Sequence, residues 1–64
     1  MTDLAPALRR ILQDHHFEMV RRGKGDHEIW RNTTTGRQTV VDGKIKSRHT
    51  ANAVLKQAGL PKTF

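Results

Sequence analysis

The sequence predicts an α+β domain of two layers, in which two helices cover one face of a three-stranded antiparallel sheet. Three observations predict it. Apolar residues recur with helical spacing near both ends of the chain. Between them lie three short runs with the alternation and residue types of strands. Tight turns rich in glycine and asparagine join those runs, and they are too short for the crossover that parallel strands need. The order is therefore α-β-β-β-α, with both amphipathic helices free to pack on the same face.

Residues 4–15 form the first predicted helix. Leu4, Leu8, Ile11 and Leu12 fall at i, i+4, i+7 and i+8, one apolar stripe. Asp3 is placed to cap it, and Pro6 fits its first turn. Arg9, Arg10 and Gln13 take the wet side. Residues 17–21 then alternate as a half-buried strand does, until Gly23 and Gly25 break the run. Residues 27–31 start a second strand at His27, with Ile29 alternating against Glu28 and Trp30. Residues 32–36 are a turn whose Asn32 and Gly36 tolerate the backbone shapes it needs. Residues 37–41 are the third strand, and Asp42-Gly43 signals another turn. The second helix spans 48–58, with Ala51, Val54, Leu55 and Ala58 on one face. Ser47 is its N-cap, and Gly59-Leu60-Pro61 stops it. The tail Lys62-Thr63-Phe64 reads as loose.

The chain has 64 residues, enough for one domain, 1–64. A chain this short buries only about 60% of the surface it exposes when unfolded. With no cysteine, it has neither a disulfide nor a thiolate metal cage. The first residues hold no apolar signal core, and no run is long enough to span a membrane. A soluble, cytoplasmic protein with no membrane partner is expected.

Charge narrows the function. Twelve Lys and Arg oppose six Asp and Glu, a net of +6. From Gly43 onward there are five basic residues, Lys44, Lys46, Arg48, Lys56 and Lys62, and no acid. The preceding 42 residues hold seven basic and six acidic ones, a net of only +1. This asymmetry points to a polyanion, most simply nucleic acid held through its phosphates. A solvated basic face is the plainer alternative.

The four histidines differ in promise. His15 and His16 are neighbours on a helix and point about 100° apart, which does not suit one metal ion. They favour the helix C-terminus electrostatically. His49 lies in the first turn of the second helix among Lys46, Ser47, Arg48 and Thr50. That cluster either grips an anion at exposed amides or is an ordinary helix start. His27 follows a glycine loop that brings Lys24 close. Imidazole exchanges protons near neutral pH. RNA cleavage needs a base at the ribose 2′-hydroxyl and cations at the phosphate, with no metal ion and no cofactor. His27 with Lys24 or Arg22 offers those groups, and a plain strand histidine is the alternative. Trp30 is either core or a surface on which bases stack. Arg31 and Arg37 either touch phosphate or pair with Glu28 or Glu18.

These pieces resemble the HicA toxins, small mRNA interferases of type II toxin–antitoxin systems. The resemblance is carried by KGDHEIWR at 24–31, TGRQTVV at 35–41 and VLKQAGLP at 54–61, and it runs from about Leu8 to Pro61. It implies a fold like the double-stranded RNA-binding domain and a metal-independent endoribonuclease that cleaves mRNA and so blocks translation. It implies His27 as the catalytic histidine, Gly25 as the loop glycine and Lys24 as the basic residue before it. Arg22, Lys44, Lys46 and Arg48 complete the expected RNA contacts. A HicB-like antitoxin is the implied protein partner, and the free toxin is expected to be a monomer. A non-catalytic RNA-binding domain, and an interaction protein whose main role is to bind an antitoxin-like partner, are the other readings. Two positions depart from the family pattern. Asp26 stands where a serine or other small polar residue is usual, and there it either orients the imidazole or repels phosphate. Residues 43–50 are more basic than the usual connection.

Overall fold

The computed structural model describes residues 3–64. It contains α1 (Ala5–Asp14), β1 (Phe17–Arg22), β2 (Glu28–Asn32), β3 (Gln38–Val41) and α2 (Arg48–Gln57). The strands form one antiparallel sheet in the order β1-β2-β3. α1 packs on β1, α2 packs on β3, and the two helices touch. Both therefore cover one sheet face, as the amphipathic stripes predict.

The core lies between the layers. Leu8 and Leu12 from α1 meet Phe17, Trp30 and Val41 from the sheet, and Leu55 from α2. Trp30 is core, only 4% exposed. Ile45 is also fully enclosed. It is the one aliphatic side chain between Gly43 and α2, and its burial pins that connection to the body. Its backbone helps: Leu4 N–H donates to Ile45 O at 2.7 Å. Asp3 Oδ1 accepts from Ala5 N–H at 3.0 Å and from Ile45 N–H at 2.9 Å. Those amides of Ile45 and Ala5 hold the Asp3 carboxyl below its usual range. The N-cap position itself falls to Leu4, so Asp3 stands one residue before it, holds the first amide of α1 and ties the helix to the chain before α2.

The ends of the other elements follow the residues that predict them. Asn32 Oδ1 accepts from the N–H groups of Thr34 and Thr35, and Gly36 takes φ +79°. Ser47 accepts from Thr50 N–H. Gly59 has φ +78°, its N–H donates to Lys56 O, and Leu60 N–H donates to Leu55 O. That is the paired-bond stop that a glycine after the C-cap permits. His15 Nδ1 donates to Ile11 O at 2.8 Å, so it does serve the helix C-terminus.

Three expectations change. β1 is not half-buried: beyond Phe17 every side chain is exposed, with Met19 at 46% and Val20 at 50%. β1 is an outer strand, and its register with β2 shifts between Met19 and Arg21, a bulge at Val20. Arg9 is not on the wet side, because it reaches Glu28 under the sheet. The tail is not loose. Asn52 Oδ1 accepts from the N–H groups of Thr63 and Phe64, and Asn52 Nδ2 donates to Phe64 O. Phe64 also packs against the core.

Candidate functional site

The loop between β1 and β2 runs from Gly23 to His27. Gly23 N–H donates to His27 O at 2.7 Å and closes it. Gly25 takes φ +70° in open space, so this position needs glycine for its backbone and not for room. Lys24 lies exposed in the loop, and Arg22 ends β1 opposite Glu28. His27 comes one residue before β2, not at its first position.

The imidazole has a partner that sequence reasoning missed. His27 Nε2 lies 3.1 Å from Asp42 Oδ1, with the side chains 57% and 48% exposed. The residue weighed for that role, Asp26, sits elsewhere. It lies against Gly43, where an added Cβ would come within 2.8 Å of Asp26 Cβ. The signal for Asp42 was in the hairpin. β2 and β3 pair Arg31 with Gln38 and so on to Glu28 with Val41. One further step outward sets His27 across from Asp42.

Beside this exposed pair is a buried one. Glu28 Oε1 accepts from Arg9 Nε at 3.0 Å and from Trp30 Nε1 at 3.0 Å, and Oε2 accepts from Arg9 Nη2 at 3.3 Å. Burial alone would raise the Glu28 carboxyl. Hydrogen bonds from Arg9 and Trp30, with the charges of Arg9 and Arg22, outweigh it and hold the group below its usual range. Arg9 Nη2 also donates to Gly43 O at 3.5 Å. The network thereby holds the turn that carries Asp42.

The expected basic residues fall in two places. Arg22, Lys24, Gly25 and His27 share the hairpin end of the sheet, and Lys44 and Lys46 follow from the neighbouring turn on either side of buried Ile45. Arg48 belongs to a different feature. It lines a cleft of about 310 Å³ with His49, Asn52, Lys62 and Phe64. Arg31 and Arg37 do not pair with Glu28, whose partner is Arg9. Arg37 Nε instead donates to Gln57 O at 2.9 Å, tying β3 to the end of α2.

The family model for the HicA toxin of bacterial toxin-antitoxin matches residues 6–60. The chain belongs to the HicA toxin family. Nothing among curated proteins or solved structures matches it. As a HicA toxin, it is the toxin half of a toxin–antitoxin system and has an antitoxin as partner. The matched span runs from α1 through Leu60 and includes His27, Asp42 and the Arg9–Glu28 pair. The tail held by Asn52 lies after it. Among the described residues, no helix is long and apolar enough to cross a membrane.

Proposed function

We propose that this HicA toxin is a metal-independent endoribonuclease that cleaves mRNA at the hairpin end of its sheet, with His27 handling the proton. The observation that carries the reading is an imidazole more than half exposed at the end of a glycine loop. Arg22 and Lys24 lie in the same short segment. His27 removes the proton from a ribose 2′-hydroxyl. The freed 2′-oxygen attacks the adjacent phosphorus, and the bond from phosphorus to the 5′-oxygen breaks. The departing 5′-oxygen takes up a proton from water. Lys24 and Arg22 stabilise the charge that builds on the phosphoryl oxygens. Lys44 and Lys46 hold neighbouring phosphates, and Arg48 extends the contact toward α2.

The products are a 2′,3′-cyclic phosphate and a 5′-hydroxyl. The test is cleavage of RNA by the purified toxin in EDTA, beside His27→Ala. Cleavage that persists in the variant, or that needs added Mg²⁺, rejects the mechanism. RNA binding without cleavage by the wild-type chain leaves the non-catalytic RNA-binding reading in its place.

The antitoxin, HicB-like in this reading, covers His27. The hairpin and the turn after β3 present Arg22, Lys24, Lys44 and Lys46, and an acidic partner surface is steered to them. RNA and antitoxin then compete. Isolation of a ternary complex, with antitoxin affinity unchanged by saturating RNA, would show inhibition from a distance.

A further inference from the structure

We propose that Asp42 is the positioning residue for His27: it holds the imidazole by Nε2 and leaves Nδ1 as the nitrogen that meets the ribose. This inference rests on the ribonuclease reading above. The Nε2–Oδ1 distance is 3.1 Å. An ionised carboxylate accepts hydrogen bonds and donates none, so the proton of the neutral ring lies on Nε2. The lone pair is then on Nδ1, the basic nitrogen. When the ribose 2′-proton moves to Nδ1, the Nε2 proton stays in place. The imidazolium so formed faces a carboxylate that stabilises its charge.

The contact is set by backbone at both ends. His27 and Asp42 are the next step beyond the paired Glu28 and Val41. The Gly23 N–H bond to His27 O fixes the histidine's end of the hairpin. On the other side, Gly43 O accepts from Arg9, which Glu28 holds in turn. Asp26 lies so close over Gly43 that a side chain there has no room. The turn bearing Asp42 is therefore gripped from the helix layer and from the hairpin. Asp and His are short side chains with two χ angles each, so a fixed backbone leaves their pairing little freedom. The alternative is an exposed ion pair of no consequence, which is common on protein surfaces.

The two differ in what Asp42→Asn does. The full chain and its variants are assayed on an RNA oligomer for single-turnover cleavage rate and for RNA Kd. Positioning predicts a rate lower by about 10- to 100-fold in Asp42→Asn, a smaller loss than at buried pairs of this kind because water reaches this one. Kd should stay within about two-fold, and Asp42→Glu should recover part of the rate, because a carboxylate again meets Nε2. Thermal unfolding of each variant separates this loss from misfolding. Ring nitrogen-15 shifts of His27 give a readout that needs no cleavage. Neutral His27 should carry its proton on Nε2 in the wild type and show a mixture of the two forms in Asp42→Ala. An unchanged cleavage rate in a folded Asp42→Asn overturns the inference, and so does a wild-type ring protonated on Nδ1. A wild-type chain that cleaves no RNA but has the expected ring proton rejects the ribonuclease reading and leaves the pairing intact.

Discussion

Consecutive residues of the chain lead into two carboxylate contacts with opposite surroundings. Glu28 faces the helices, is 8% exposed and accepts three hydrogen bonds from Arg9 and Trp30. His27 faces out and meets Asp42 through one contact, with both side chains about half in water. The pleat makes this division, because successive side chains point to opposite faces. Burial makes the first contact costly to break, since Glu28 left alone keeps a charge out of water. Exposure makes the second cheap to break and open to a substrate. A structural pair and, in the proposed mechanism, a reactive pair can therefore sit side by side without interfering.

The two pairs should respond to truncation in opposite ways. His27→Ala should reduce RNA cleavage by about 10²- to 10⁴-fold, the usual worth of a general base. Its unfolding free energy should stay within about 0.5 kcal/mol of wild type, as for surface substitutions. Arg9→Ala should do the reverse. It leaves Glu28 buried without its cation and should cost about 2–3 kcal/mol by urea unfolding, less than for a fully buried pair because Arg9 is partly exposed. Equal stability losses for the two variants would erase the distinction. Gly43→Ala joins the two regions, since it lies between Asp42 and the carbonyl that Arg9 binds. The new methyl would press on Asp26 and should cost about 1–2 kcal/mol, and it should slow cleavage as well. A stability loss with no loss of rate would show that the turn does not govern the site.

The smallest expected effect is a pH dependence. In the folded chain the Glu28 carboxyl titrates below its ordinary value of 4.5. A depressed value contributes stability above the unfolded-state value, and that contribution is lost as pH falls through the lower folded-state value. Asp3 acts in the same direction. The stability gap between wild type and Glu28→Gln should therefore narrow as pH is lowered from about 7 to about 3. A gap that stays constant or widens would mean that the pair is not ionised as described.

Much of the fold was legible because it depends on neighbours in sequence. The stripes of both helices, the Asn32–Gly36 turn, the Ser47 cap and the Gly59 stop are local signals, and each stands where the sequence puts it. His27, Lys24 and Gly25 were legible as a group because one loop carries them. The partners were not legible in that way. Arg9 and Glu28 lie 19 positions apart, and their meeting depends on which face of β2 turns toward α1. Alternation did hold the clue: Trp30 as core places Glu28 on the same buried face. Asp42 needed the register counted one step past the strands. The tail was misread because its order comes from Asn52 across the fold, while its own residues carry no periodic signal.

The bulge at Val20 bears on how copies of this toxin behave when crowded. β1 is an outer strand, and it exposes Met19 and Val20 on a chain whose backbone has free donors and acceptors along that edge. Such an edge is a template on which a second copy can add a strand and begin to aggregate. The extra residue interrupts the regular spacing that an incoming strand must match. Arg21 and Arg22 follow it at once, so a copy approaching in either direction brings arginines to a strand that already bears two. The irregularity and the arginines after it thus both work against edge-to-edge pairing of copies of this small basic protein.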